Sequence, residues 1–95
     1  MNKMIIIGAS DAGISAALRI KEIEAESDVK VIAADAFPNF SICGLPFYLS
    51  GEVADWRDLA HRTRDEIEQQ GIGLLLDHRA VQIDPDARQV QVQST

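Results

Sequence analysis

The residues from Lys3 to Asp35 restrict the fold more than any other part of the chain. Lys3-Met4-Ile5-Ile6-Ile7 is an apolar, β-branched run of strand length that ends at Gly8. Gly8-Ala9-Ser10-Asp11-Ala12-Gly13 then turns tightly and opens a helix. Helical spacing from Ile14 to Glu26 puts Ile14, Ala17, Leu18 and Ile20 toward one side, among charged neighbours. Ser27-Asp28 breaks that helix, and Val29 to Ala34 reads as a second buried strand closed by Asp35. Strand, glycine turn, helix, strand and acid, in that order, make a βαβ unit of the kind that binds dinucleotides.

Each part has a physical task in such a unit. Gly8 lets the chain leave the strand sharply, and Gly13 lets the helix lie close to the sheet. The amides at the helix start, at the positive end of its dipole, suit a pyrophosphate. Asp35 stands about 20 residues beyond the turn, where a carboxylate accepts hydrogen bonds from ribose hydroxyls. The middle glycine position holds Ser10, whose side chain narrows the approach to the phosphates but whose hydroxyl is able to donate to one. The competing reading is a buried βαβ corner without a ligand.

The remainder continues an α/β pattern. Residues 36–46, with prolines, Gly44 and Asn39, read as a loop anchored by aromatic side chains, and Phe47 to Ser50 as a helical turn. A sparse, mostly solvated helix is expected from Trp56 to Gln70, capped by Asp55 or Asp58 and closed by Gly71. Ile72 to Leu76 is a third strand. Arg79–Asp84 and Arg88–Gln93 flank Asp84-Pro85-Asp86-Ala87 as a hairpin, with Val90 and Val92 alternating against glutamines. Trp56, Phe37 and Phe40 are expected as packing anchors.

Composition narrows the partners. A chain of 95 residues leaves room for one small core. Its net charge of −6 offers no basic stripe for nucleic acid, and no apolar run approaches the roughly 20 residues of a membrane span. The direct start of the first strand leaves no room for a signal peptide, and a single cysteine suits a reducing cytoplasm. His61 and His78 have no ligand spacing, so no metal is expected. Cys43, held between loop residues and Gly44-Leu45-Pro46, has no CxxC partner. As a working thiolate it would have to pair with a small-molecule thiol or cycle through a sulfenic acid; the alternative is a buried, inert thiol.

The run Ile6 to Ala17, then Asp35, then Asn39-Phe40-Ser41-Ile42-Cys43-Gly44-Leu45-Pro46-Phe47-Tyr48, resembles the amino-terminal part of the FAD-dependent pyridine nucleotide–disulfide oxidoreductases. It is most similar to their single-cysteine branch of coenzyme A disulfide reductases, NADH oxidases and NADH peroxidases. Trp56-Arg57-Asp58-Leu59, Gly71-Ile72 and Ala80 to Asp84 follow the same pattern, so the likeness spans essentially the whole chain.

The resemblance implies an α/β fold: a partial Rossmann-like, FAD-binding βαβ sheet ending in an antiparallel hairpin. Residues 1–95 would be the opening part of an FAD/NAD(P)-binding domain of a longer flavoenzyme. It implies that Gly8, Ser10, Ala12 and Gly13 meet the FAD pyrophosphate, Asp35 replaces the family's usual Glu at the ribose, and Ala80 offers backbone to the adenine. Cys43 would lie against the flavin, with Arg19 and Ser41 toward the substrate.

The implied reaction passes electrons from NAD(P)H to a small-molecule disulfide of the coenzyme A type. The alternatives are an NADH oxidase or peroxidase using a cysteine sulfenic acid, and a non-catalytic or self-associating nucleotide-binding fragment. Asp11 stands where oxidases and peroxidases of the branch tend to have His, which leans toward the reductase. The 95 residues contain no second glycine-rich turn, so they alone are expected to be inactive, and their open sheet edges would favour a homo-dimer.

Overall fold

The computed structural model describes residues 2–40 and 43–95. Strand β1 (Lys3–Ile7), helix α1 (Asp11–Ile23) and strand β2 (Asp28–Ile32) form the expected βαβ unit. A short helix α2 (Leu45–Leu49), a 3-10 turn (Trp56–Leu59) and helix α3 (Arg64–Gln69) lead to β3 (Ile72–Leu75). Strands β4 (His78–Asp84) and β5 (Gln89–Ser94) make a separate antiparallel hairpin.

The first sheet is parallel throughout, ordered β1-β2-β3, with Met4 opposite Val29 and Ile6 opposite Val31. That register puts Ile6, Val29, Val31, Ile72 and Leu74 on one face, because side chains alternate along a strand. Ile14 and Ala17 of α1 and Ile67 of α3 are completely buried, in one cluster with Val29, Val31 and Ile72. Ile5, Ile7 and Leu75 belong to the opposite face and stay exposed. The helical period of α1 and the strand period of β2 therefore solve the same packing problem from two sides.

Helix α1 stops short of the expected Glu26. Lys21 Nζ donates to the carbonyls of Ala25 and Ser27, at 2.9 and 2.7 Å, and the Ser27 hydroxyl donates to the Glu24 carbonyl. These bonds hold the chain in a turn over residues 24–27, just past Ile23, in place of further helix.

The expected helix from Trp56 to Gln70 is two elements, and here the sequence reading is corrected. Ala60 forms an antiparallel bridge with Phe40, and the His61 amide donates to the Asn39 carbonyl at 2.9 Å. Extended pairing with the 36–40 loop takes the backbone groups a continuous helix would use. Asp55 caps the 3-10 turn, while α3 starts at Thr63 with a full capping box to Glu66. Gly71, at φ 85°, ends α3 in the left-handed region where glycine is favoured.

The hairpin turn forms where expected: Asp84 Oδ1 accepts from the amides of Asp86 and Ala87, both at 3.1 Å. Strand β4 joins the first sheet through the His78 amide, which donates to the Ala33 carbonyl at 3.0 Å.

Candidate functional site

The glycine turn forms at the carboxyl end of β1, where open parallel α/β sheets place ligands. Gly8 has φ 108°, and its amide donates to the Ile32 carbonyl at 2.8 Å, so the turn starts from a fixed point on β2. Gly13 faces back on that turn. A Cβ added there would overlap the Gly8 carbonyl oxygen and lie 3.3 Å from Ile6 Cγ2. Only glycine lets α1 approach β1 this closely.

Ser10 is the N-cap of α1, in extended backbone, and its side chain makes no cap bond. The first intrahelical bond runs from the Ile14 amide to the Ser10 carbonyl at 3.0 Å, so the amides of Asp11, Ala12 and Gly13 precede the helical ladder. They are available to an anion.

A cleft of about 320 Å³ opens beside this turn. It is lined by Gly8, Ala9 and Ser10 from the turn, Ala33, Ala34 and Asp35 from the end of β2, and Phe37 and Phe40 from the loop. Asp35 Oδ1 accepts from the Phe37 amide at 2.9 Å; its other carboxylate oxygen has no partner among the described residues. The structure thus brings together Gly8, Ser10 and Asp35. Ala12 and Gly13, also expected at the site, do not line this cleft; their amides follow it in the first turn of α1. A turn glycine and a carboxylate at one cleft, with uncapped amides following it, fit the diphosphate and ribose of a dinucleotide.

Other expected site residues lie elsewhere. Ala80 is half-buried in β4, opposite Val92 of β5, and does not line this cleft. Arg19 is on the exposed side of α1, paired with Glu22 at 2.9 Å. Cys43 is exposed, just before α2, so it is not the buried thiol that the residues alone left open. Ser41 lies outside the described residues. A larger hollow of about 550 Å³ separates Ile5 from the hairpin and contains none of the expected site residues.

The aromatic anchors pack on one another beside the cleft. Phe37 meets Phe40 and Trp56 edge-on, with centroids 5.6 and 5.4 Å apart, and Phe40 stacks on Trp56 at 5.8 Å. Asp55 holds the segment that carries Trp56, its Oδ1 accepting from both the amide and Nε of Arg57 at 3.0 Å.

The Arg57 side-chain bond, and then its backbone bond, hold the Asp55 carboxyl below its ordinary titration value. A depressed carboxyl pKa favours the folded state at neutral pH, and that contribution fades as pH falls through the lowered value. Carboxyl NMR titration should therefore show Asp55 below the usual carboxylate range, and Arg57→Ala should return it upward. An unchanged midpoint in that variant would remove the pair from the account.

The sequence reading missed one polar network. Asn39 is completely buried at φ 58°. Its Nδ2 donates to Asp11 Oδ1 at 2.7 Å, and its Oδ1 accepts from Arg62 Nη1 at 3.2 Å. Its amide donates to the Ala9 carbonyl at 2.6 Å, and His61 Nε2 stands 3.7 Å from Asp11 Oδ2. The partners are remote in sequence, so only the positive-φ tolerance of Asn and its place in a Pro-Asn turn hinted at this role.

A parallel βαβ unit whose glycine turn and strand-end acid meet at one cleft is the Rossmann-like α/β class of architecture. The chain belongs to the pyridine nucleotide-disulphide oxidoreductase family, whose model matches residues 2–95. Members of the family are FAD-dependent and take electrons from NAD(P)H.

A coenzyme A disulfide reductase of Staphylococcus epidermidis is 31% identical over 93 residues, covering 97% of this chain and 21% of the relative. An NADH oxidase of Mycoplasma pneumoniae is 33% identical over 94 residues, covering 97% of this chain and 19% of the relative. Among solved structures, an NAD-dependent persulfide reductase from A. fulgidus superposes with TM-score 0.90 at 27% identity, over 95% of this chain and 17% of that one. The chain thus spans about a fifth of the length of the curated relatives. No helix among the described residues is long and apolar enough to cross a membrane.

Proposed function

We propose that residues 1–95 act as the opening part of an FAD-binding domain, in a flavoenzyme that uses NAD(P)H to reduce a small-molecule disulfide of the coenzyme A type through Cys43. The observation that carries this reading is the cleft uniting Gly8, Ser10 and Asp35, in a chain of this family. The uncapped amides through Gly13 would bind the diphosphate, Asp35 would accept from ribose hydroxyls, and β4 near Ala80 would offer backbone to the adenine.

FAD, when bound, supplies the relay for the two electrons of NAD(P)H. Cys43 supplies the sulfur. As a thiolate it attacks one sulfur of the substrate disulfide, breaking that S–S bond, releasing one thiolate and forming a mixed disulfide with the other half. Two electrons from NAD(P)H then split the mixed disulfide, returning the Cys43 thiolate and a second product thiolate. One NAD(P)H and one proton thus convert one disulfide to two thiols. The exposure of Cys43 supports this use, because the attacking sulfur must reach a disulfide from solvent.

An NADH oxidase cycling Cys43 through a sulfenic acid is the second reading, favoured by the Mycoplasma pneumoniae relative. Asp11, tied to Asn39 where oxidases of the branch tend to have His, favours the reductase. Anaerobic NAD(P)H titration of the purified flavoprotein, followed by mass spectrometry of the Cys43 peptide, tests the choice. The expected result is flavin bleaching, with a coenzyme A adduct on Cys43 before reduction that is absent afterwards. A protein that binds no flavin would overturn the proposal; oxygen-linked oxidation of Cys43 with no adduct would select the oxidase.

A further inference from the structure

We infer that Asn39 is a positioning residue for the nucleotide turn, holding the Ala9 carbonyl and the Asp11 carboxylate away from the space an anionic phosphate occupies. This rests on the FAD reading above. Two oxygen groups of the turn, the Ala9 carbonyl dipole and the Asp11 carboxylate, are each a hazard to an anion there. A carbonyl turned toward the cleft would repel phosphate oxygens. A carboxylate in the first turn of α1 is attracted to the same amides and dipole as the ligand, so when unrestrained it competes for them.

Asn39 holds both. Its amide engages the Ala9 carbonyl at 2.6 Å, and across a trans peptide the Ser10 N–H must point the opposite way. Its Nδ2 holds Asp11 Oδ1 at 2.7 Å. Arg62 sets the sense of that amide by donating to Asn39 Oδ1 at 3.2 Å, which leaves the NH₂ group for Asp11. The His61 amide fixes the Asn39 carbonyl at 2.9 Å, and His61 Nε2 stands 3.7 Å from the second Asp11 oxygen. Complete burial and φ 58° make Asn39 a fixed pivot, not a surface side chain that happens to reach Asp11.

Glycine at this position keeps the left-handed backbone and both main-chain bonds but releases Asp11. The test is FAD affinity by fluorescence titration, alongside thermal melting, for wild type, Asn39→Gly, Asp11→Asn and the double variant. Asn39→Gly should weaken FAD binding by about tenfold, the scale of one freed charge near the ligand. Adding Asp11→Asn should restore most of that affinity while the melting temperature stays lowered. Restored affinity without restored stability is a pattern that simple loss of packing does not produce.

A double variant that binds FAD as weakly as Asn39→Gly would overturn the inference and leave Asn39 a structural residue only. If Asn39→Gly does not fold, Asp11→Asn alone decides: about threefold tighter binding is expected, and unchanged or weaker binding overturns the inference. Wild-type protein that binds no FAD overturns the underlying FAD reading instead, so the two failures are told apart.

Discussion

In the longer, flavin-loaded enzyme of which residues 1–95 would be part, Cys43→Ser is expected to lower disulfide reduction at least about a thousandfold while FAD content stays at the wild-type level, because the nucleophilic sulfur is replaced and nothing in the cleft is touched. Cys43 is exposed and does not line the cleft, so the change should also leave stability within about 0.5 kcal/mol. Steady-state turnover with coenzyme A disulfide, paired with the flavin absorbance of the same sample, measures both halves. A hydroxyl in place of the thiol cannot form the mixed disulfide, so retained turnover would take Cys43 out of the mechanism. Loss of flavin together with activity would instead tie Cys43 to cofactor retention.

Gly13→Ala should disturb the packing of α1 on β1, because of Gly8, Gly13, Gly51, Gly71 and Gly73 it is at Gly13 that an added methyl meets backbone most closely. The added carbon would overlap the Gly8 carbonyl oxygen, and Ile6 Cγ2 closes the space behind it. Backbone on one side cannot rotate away as a side chain would, so α1 has to lift from β1. Overpacking of this kind costs about 1–3 kcal/mol or more, and the better helix propensity of alanine offsets only about 1 kcal/mol. A net loss of 1 kcal/mol lowers the melting temperature of a domain this small by about 4–8 °C. FAD affinity should fall more than about tenfold, because lifting α1 shifts Ser10 and the first-turn amides that follow it relative to the glycine turn. Unchanged melting and unchanged affinity would contradict the close-approach role assigned to Gly13.

The parts of the fold legible in the sequence are those written in local periodicity. The apolar alternation of β2 and the helical spacing of Ile14, Ala17 and Leu18 each specify one face, and the two faces meet. The break after Leu59 is different in kind, because it depends on Phe40 and Asn39 pairing with Ala60 and His61 across the chain. No local propensity carries that information, and the Thr63/Glu66 capping box that starts α3 lay inside the single helix expected from Trp56 to Gln70.

The candidate site divides in the same way. Gly8, Gly13 and Asp35 were readable because the turn, the close approach and the strand-end acid each demand a residue type at a fixed place. Asn39 was not readable as the link between Ala9, Asp11 and Arg62, since its polar partners are brought in by folding. The substrate side is the least readable: Arg19 points to solvent with Glu22, and Lys21, its basic neighbour, is committed to the Ala25 and Ser27 carbonyls.

The most direct measurement is an amide chemical-shift titration of the ¹⁵N-labelled chain with FAD. The account predicts that the largest saturable shifts fall on Ser10 through Gly13 and on Asp35, with Arg19 and the α3 amides unmoved. Shifts centred away from the glycine turn, or none at saturating FAD, would contradict it.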